Sequence, residues 1–479
     1  MNAHPWVVSR PPLLGLAQLQ RIEEAVIRIL EEVGIAVLES EVLASLRSKG
    51  FAVRDNRVRI EGHLVREFLE SERSRHGNRF SPEPAVPEPA GPEIRLSLNP
   101  YAQGVHDLAI DRIVPFTTER LIEATRLVDV LGLPGIPGCP VDVPPALQPL
   151  VQYWVAAVYN RAGGSPVDPK SRATLPYLME MAEALGHPLR SLPIYVFSPL
   201  TLGGESLKCV LEFQDRLTSA SVSDMGSVGG SLPLTLGHAV ALAVAEVIGS
   251  VLLLREIVDL PLFWSIRLCP LDLRSLAMVL GSPEDFLLQL VNAEANAYFH
   301  GTPWDPALSS IHTNAKLPGP QACVEKASIM TAGALWGSRH FGTAGSLSLD
   351  EVFSAEQLLY DLEIRDHVQR LVRGLEGDCD PEQCLQEVRE GLEQKGFVGL
   401  ESTARGYPQF YWHPRLFERQ FLAAWEREGA PTIRRRAQAQ VHELLRQPSF
   451  ELDGDRRREL DRLLARARRD LGGDLRGWP

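Results

Sequence analysis

The N-terminal part of the chain changes its hydrophobic spacing several times. Apolar residues recur at helical spacing over 19–33, and Gly34 follows where a helix-ending glycine is common. The run 35–38 is then strand-like, and another amphipathic helix is predicted at 61–72. We therefore predict a small α/β extension over residues 1–125.

A proline-rich stretch interrupts this extension at residues 73–92. Proline lacks a backbone N–H and its ring clashes with the preceding helical turn, so a continuous helix is excluded here. We predict an extended connector.

From about residue 126, apolar strand-like runs alternate with long helices. The runs 193–197 and 261–266 are predicted strands, and Ser282 followed by Pro283 marks the start of a helix. Such alternation implies a parallel sheet. A closed (β/α)8 TIM barrel over 126–430, followed by a C-terminal helical segment over 431–479, fits the length; a doubly wound sheet is the alternative.

One stretch, 234–254, is apolar nearly all round. That pattern is typical of a membrane span or of a helix buried in a core or an interface. The stretch contains Glu246, and an ionisable group near the centre of a bilayer is costly. We predict a buried helix and no membrane association, and its apolar surface favours a homo-oligomer.

Composition excludes several classes of protein. Lys and Arg number 49 against 61 Asp and Glu, giving a net charge of −12, which disfavours nucleic-acid binding. The six cysteines form no CxxC pair, so we predict a reduced, cytoplasmic chain with no metal site. P-loop, GxGxxG, HExxH and GxSxG motifs are absent from the sequence, which weighs against nucleotide, hydride, zinc-protease and serine-hydrolase chemistry.

The candidate binding residues are mainly aromatic. Aromatic faces attract quaternary or protonated amines through cation–π interactions. Phe263 and Trp264 end a predicted strand, where a barrel builds its active site. The residues that we select for substrate binding are Tyr101, Trp264, Trp304, Asp305, Asn314 and Phe341. Two histidines in polar loops near Gly and Pro, His300 and His340, are the candidate catalytic residues.

The chain resembles the trimethylamine methyltransferase family. The similarity lies in an ordered set of segments along most of the chain, at 19–38, 58–70, 104–131, 197–202, 229–246, 312–327 and 412–429. The resemblance is to the branch without pyrrolysine, which includes the glycine betaine methyltransferases, because every residue here is a standard one.

The resemblance implies a TIM barrel that moves a methyl group from a methylated amine to the Co(I) of a corrinoid held by a separate protein. It places His300, His340 and the selected aromatic residues around the methyl donor, with Gly229, Gly230 and Ser231 near the docked corrinoid. The sequence has no Asp-x-His-x-x-Gly cobalt-ligand motif, as a two-protein system predicts.

Two alternatives stay open at this point. A diverged barrel of the same family would act on a methoxy compound, with His300 or His340 as general acid. A non-catalytic protein would bind quaternary ammonium compounds without turning them over. No arginine adjoins Trp304 and Asp305 to hold a betaine carboxylate, which favours a more cationic or bulkier donor than glycine betaine.

Overall fold

The computed structural model describes residues 12–81, 93–163, 169, 171–303, 310–375 and 377–472. Trp304 and Asp305, two of the predicted substrate-binding residues, lie outside the described residues. The N-terminal elements are α1 (Leu16–Arg28), β1 (Ile35–Val37), α2 (Ser40–Ser48), β2 (Ala52–Arg54), β3 (Arg57–Arg59) and α3 (Gly62–Arg75).

The central elements continue the alternation of strands and helices. They are β4 (Arg95–Leu96), β5 (Gly104–Asp107), β6 (Arg112–Pro115), α4 (Thr118–Val130), α5 (Gln148–Tyr159), α6 (Leu175–Ala184), β7 (Ser191–Tyr195), β8 (Thr201–Leu202), α7 (Glu205–Phe213), β9 (Ser219–Ser223), β10 (Gly226–Val228), α8 (Leu236–Arg255), β11 (Leu262–Ser265), β12 (Leu268–Asp272), β13 (Ala277–Met278) and α9 (Pro283–His300).

The C-terminal part is mainly helical. Its elements are α10 (Pro320–Leu335), β14 (His340–Phe341), β15 (Ser346–Leu347), β16 (Val352–Phe353), α11 (Ala355–Val372), α12 (Pro381–Glu393), α13 (Glu401–Phe410), α14 (Leu422–Arg427), α15 (Ile433–Leu444) and α16 (Gly454–Leu471).

Helix starts follow the local chemistry of the sequence. The side chains of Thr117, Ser282, Ser354 and Asp380 each accept a hydrogen bond from a backbone N–H in the first turn of α4, α9, α11 and α12. These bonds satisfy N–H groups that have no partner within the helix. At the other end of the first helical stretch, Gly34 adopts a left-handed φ of 77° and turns the chain into β1.

The fold is mixed α/β, and its central sheet is parallel. Strands β7, β9 and β11 lie side by side in the order β11-β9-β7, with α7 and α8 as the crossover helices. Parallel pairing of β10 with β12 extends the β9–β11 pair. Within the described residues the strands form five sheets of two to four strands, rather than one continuous closed barrel.

Helix α8 lies in the core, as the sequence predicts. It is long and apolar enough to cross a membrane, but 72% of its most apolar window is buried inside the protein. Its apolar side chains share one core with α1, α3 and the buried faces of β7, β9 and β11. The N-terminal extension therefore packs directly on the central sheet, while a second core unites α4, α5, α11, α15 and α16. The boundaries at 125 and 430, the homo-oligomer and the cytoplasmic location stay predictions.

Candidate active site

The central sheet has one buried face and one open face. Along β11, Leu262 and Trp264 are buried whereas Phe263 and Ser265 are exposed. In β7 and β9, burial also alternates from one residue to the next, because successive side chains in a strand point to opposite faces of the sheet. The buried face packs against α8, and the open face is the accessible one.

On the open face, serines of the middle strand lie between aromatic side chains of the two outer strands. Ser221 and Ser223 of β9 lie between the outer strands, where Ser221 pairs with Phe263 and Ser223 pairs with Tyr195. Phe263 is 65% exposed and Tyr195 is 43% exposed. Because neighbouring strands lie about 4.8 Å apart, the outer two are roughly 10 Å apart. Phe263 and Tyr195 are arranged diagonally across this face, because the serines with which they pair lie two residues apart along β9.

Arg267 continues the open face beyond β11. The alternation of exposure runs on past Ser265 through buried Ile266 to partly exposed Arg267, and past Ser223 through buried Asp224 to exposed Met225. The guanidinium lies near enough to Asp285 and His312 to shift their pKa values. No carboxylate in the described part of the chain forms an ion pair with it, although the buried Cys269 thiol and the Asp285 carboxyl lie near its guanidinium.

His312 lies near Arg267 as a neutral imidazole. Burial, with smaller contributions from the charges of Arg267 and Lys326, lowers the pKa of His312 to about 3. Its Nδ1 is buried and has no hydrogen-bond partner among the described residues. An unpaired buried polar atom is costly, which is why such atoms are uncommon away from functional sites.

The predicted glycine turn follows β10, which belongs to the neighbouring sheet β10-β12-β13. Gly229 has a φ of 85°, and the turn is closed by hydrogen bonds between Ser227 and Ser231 in both directions, each 3.1 Å long. A Cβ on Gly229 would lie 3.4 Å from the Leu234 side chain and 3.6 Å from that of Leu273. Both leucines are exposed, and we call Leu234 and Leu273 the apolar rim of the turn.

Two carboxyl groups lie behind the sheet. Asp224 Oδ1 accepts the N–H of Arg267 at 3.0 Å, and Glu246 Oε1 accepts from Ser198 Oγ at 2.8 Å and from the N–H of Leu200 at 2.9 Å. Burial raises the pKa of Asp224 to about 8, with the charge of Glu246 as a further cause, and burial raises the pKa of Glu246 to about 7. Burial thus favours the protonated form of both carboxyl groups near neutral pH, and more so for Asp224 than for Glu246.

Trp264 and His300 come together, but on the buried side of the sheet. Their rings lie 3.8 Å apart between centroids, and His300 Nε2 donates to the Trp264 carbonyl at 3.0 Å. Trp264 Nε1 donates to Glu72 Oε2 at 3.3 Å. Burial lowers the pKa of His300. Neither side chain lies on the open face, although the sequence analysis predicts Trp264 as a substrate-binding residue and His300 as a catalytic one.

The other predicted residues are dispersed. Phe341 is fully buried in the second core, while His340 beside it is exposed and pairs with Arg95 of β4. Tyr101 is half exposed after β4. Asn314 donates its side-chain N–H to the Leu280 carbonyl at 3.0 Å, away from the strands of the central sheet.

Sequence reasoning missed Arg267 and underrated Phe263. The signal for both was present in the alternation of the predicted strand 261–266, since residues 263, 265 and 267 share one face. The spacing alone does not say which of the two faces is open. That depends on α8, which covers the face carrying Trp264.

Comparison with known proteins identifies the family. The family model described as trimethylamine methyltransferase matches residues 8–148 and 178–472. The chain belongs to the trimethylamine methyltransferase family. This result confirms the resemblance that the ordered segments carry.

Individual relatives within the family are distant. A trimethylamine methyltransferase of Methanosarcina mazei is 25% identical over 90% of this chain and 89% of its own length. The glycine betaine methyltransferase of Desulfitobacterium hafniense is 24% identical over 89% of this chain and 91% of its own length. The match to the Methanosarcina barkeri trimethylamine methyltransferase, at 26% identity over 61% of this chain, spans only 58% of that relative. The solved monomethylamine methyltransferase of Methanosarcina barkeri aligns over 91% of this chain and 90% of its own, with a TM-score of 0.44 and 11% identity.

Proposed function

We propose that this member of the trimethylamine methyltransferase family moves a methyl group from a methylated, quaternary amine to the corrinoid of a separate protein. The observation that carries the proposal is the open face of β7, β9 and β11. Its two aromatic side chains, Phe263 and Tyr195, flank a floor of small serines. A relative that shares most of this chain's length is a glycine betaine methyltransferase.

The aromatic walls suit the cationic head of such a donor. The π face of an aromatic ring attracts a cation, and a quaternary ammonium group has no N–H that would need a hydrogen-bond acceptor. The serines of β9 leave room for the methyl groups because their side chains are short. Dispersion contacts with Phe263 and Tyr195 then add to the cation–π attraction.

Arg267 favours a donor that also carries a carboxylate. It lies on the same face as Phe263, and no carboxylate among the described residues pairs with it. A guanidinium binds a carboxylate through two parallel hydrogen bonds. The aromatic side chains would thus hold the ammonium group of a betaine, and Arg267 would hold its carboxylate. Binding at both ends would fix the orientation of the methyl groups.

The transfer itself demands little acid–base chemistry from the chain. The carbon–nitrogen bond breaks with its electron pair left on nitrogen, so a neutral amine departs and no proton donor is required. The reduced cobalt of the corrinoid supplies the electron pair that accepts the methyl group. The role of this chain is to orient the donor and exclude water from the reacting methyl group.

The turn Gly229–Ser231 and the apolar rim fit a docked corrinoid. Gly229 presents backbone without a side chain, and the two leucines of the rim, Leu234 and Leu273, are 69% and 55% exposed. A corrinoid protein docked at this turn would cover these side chains. Strands β10 and β12 follow β9 and β11 along the chain, so a partner docked at this turn would lie beyond the carboxyl ends of those central strands.

We also propose that the sheet belongs to an eight-stranded barrel. Parallel neighbours occur outside the central sheet, since β4 pairs with β14 and Ser310 bridges to Gly342. Together with the parallel strands β7, β9 and β11, these contacts support a ring of parallel strands. In part of this ring, irregular segments would take the place of hydrogen-bonded strand pairs. In such a ring the carboxyl ends of the strands form the active-site face.

A methoxy donor is less compatible with this geometry. Its leaving group needs a proton, and the candidate acids are His300 and His340. His340 lies on β14, which pairs with β4 and is not part of the sheet β11-β9-β7. The Nε2–H of His300 is already donated to the Trp264 carbonyl on the buried side of the sheet.

A donor panel tests the proposal. The full chain would be mixed with reduced cobalamin and, in turn, with methylated amines, betaines and methoxy compounds, and methylation would be followed by the visible spectrum. We expect methylation with quaternary amines, strongest with a betaine. Methylation from methoxy compounds alone would overturn the proposal, and calorimetric binding of a betaine without any methylation would identify a binding protein.

A further inference from the structure

A cluster of potential metal ligands lies where α3, β11 and α9 meet. Glu72, His76 and His300 each offer one ligand atom, and these three atoms lie within 4.8 Å of one another. Glu72 and His76 are four residues apart on α3 and its C-cap, which places them on one side of the helix. His300 comes from the last residue of α9.

The hydrogen bonds of the cluster leave a lone pair for a metal on His300 Nδ1 and on Glu72 Oε2, although Oε2 also accepts from Trp264 Nε1 at 3.3 Å. A carbonyl oxygen can only accept, so His300 Nε2 must carry the proton that it donates to Trp264, and Nδ1 keeps its lone pair. That Nδ1 lies 3.9 Å from Glu72 Oε2. Two ligand atoms about 2.1 Å from one tetrahedral ion are roughly 3.4 Å apart, so a shift of about half an ångström would let one ion reach both.

The surroundings resemble the outer shell of a metal site. Histidines that ligate a metal usually donate their second ring N–H to a backbone carbonyl or a carboxylate, as His300 does, and ligating carboxylates are themselves hydrogen-bonded. Glu72 Oε1 accepts from Arg255 at 2.7 Å and forms an ion pair with Arg75 at 2.8 Å. Glu72 Oε2 accepts from Trp264 Nε1 at 3.3 Å and lies 3.9 Å from His300 Nδ1.

We propose that Glu72, His76 and His300 bind one divalent transition metal of the zinc class. Two imidazoles and one carboxylate suit that class, and three protein ligands leave a fourth position for water. The ion would link α3 of the N-terminal extension to α9 beside the central sheet. The two arginines on Glu72 oppose a second positive charge, so we expect weaker binding than at a structural zinc site with thiolate ligands.

Metal titration of the full chain tests this site without reference to methyl transfer. After removal of metals with a chelator, Co2+ would be added as a spectroscopic probe and Zn2+ would be measured by competition with a metal-sensitive dye. We expect one equivalent bound, with the visible Co2+ bands of a site of low coordination number. Absence of stoichiometric binding would overturn the proposal.

Matched variants assign the ligands. His76→Ala and His300→Ala should each weaken metal binding at least tenfold, whereas His63→Ala, in the first turn of the same helix, should leave it unchanged. Circular dichroism and the melting temperature without metal would establish that each variant folds. Retained binding in folded His76→Ala and His300→Ala would contradict the assignment.

Substitution of Arg75 should strengthen metal binding rather than weaken it. Its side chain is 54% exposed, so Arg75→Ala removes a positive charge from Glu72 at little cost to packing. We expect the variant to bind Zn2+ more tightly than the wild type, several-fold at low ionic strength. Unchanged or weaker binding would show that Glu72 is not a ligand.

Discussion

Phe263 and Trp264 are consecutive residues of β11, yet they serve opposite sides of the central sheet. Phe263 is 65% exposed on the open face, whereas Trp264 is 5% exposed and stacks on His300. The step of one residue therefore separates a side chain able to meet a ligand from one that holds the sheet against α3 and α9.

This difference predicts that one alanine variant loses ligand binding and the other loses stability. Phe263→Ala should weaken binding of a quaternary amine by about 1 to 2 kcal/mol, roughly 5- to 30-fold, because a cation–π contact is lost. Trp264→Ala should instead lower the free energy of unfolding by about 3 to 5 kcal/mol, because a buried indole leaves a cavity. Calorimetric titration and denaturant unfolding of both variants measure the two effects. The reverse pattern would place the donor on the other face.

Arg267 should determine selectivity between donors. Arg267→Met should raise the KM for a carboxylate-bearing donor about 10- to 100-fold, because a charged hydrogen bond is worth about 1.5 to 3 kcal/mol. The KM for tetramethylammonium, which has no carboxylate, should stay within about twofold. Arg274→Met is the matched control, since Arg274 is an exposed arginine that pairs with Asp272. Equal loss with both donors would exclude a carboxylate contact.

The buried carboxyl pair predicts a pH dependence of stability. Asp224 and Glu246 have pKa values near 8 and 7 in the folded chain, above their usual values near 4, so the folded state binds more protons than the unfolded state between those limits. The free energy of unfolding should therefore fall as pH rises from about 5 to 8, by up to about 1.4 kcal/mol per pH unit for each carboxyl. Asp224→Asn and Glu246→Gln should each flatten this slope in denaturant unfolding followed across pH. A slope unchanged in both variants would show that the pair stays ionised.

The ion pair of Lys326 and Asp361 should be essential to the second half of the fold. Both side chains are fully buried, with Nζ 2.7 Å from Oδ2, and Asp361 also accepts the N–H of Gly345 at 2.7 Å. Lys326→Met should cost about 3 to 5 kcal/mol of unfolding free energy, because it leaves a buried carboxylate without its counter-charge. Denaturant unfolding measures this loss. A loss below about 1 kcal/mol would mean that Asp361 is neutral in the variant.

The elements that local chemistry dictates could be predicted from the sequence. Ser282 and Asp380 cap α9 and α12, as their local sequences predict. Helix α8 is buried, as the scarcity of charged residues in its sequence predicts. Family membership was also accessible, because it rests on ordered segments rather than on any single contact.

What depends on distant packing could not be predicted. Period-two spacing shows that Phe263 and Trp264 face opposite ways, but only the position of α8 decides which side is covered. Likewise, Glu72 and His300 meet through the docking of α3 on α9, and no local pattern joins residues so far apart in the chain. The continuous ladders of an ideal barrel also depend on long-range register, and the described strands form shorter sheets.

The most direct test of the central claim follows the methyl group itself. A betaine with deuterated N-methyl groups would be incubated with the full chain and reduced cobalamin, and the corrinoid would be analysed by mass spectrometry. We predict that the corrinoid gains the deuterated methyl group with the wild type and gains it more slowly with Phe263→Ala. A corrinoid that stays unlabelled, while calorimetry shows that the betaine is bound, would contradict methyl transfer by this chain.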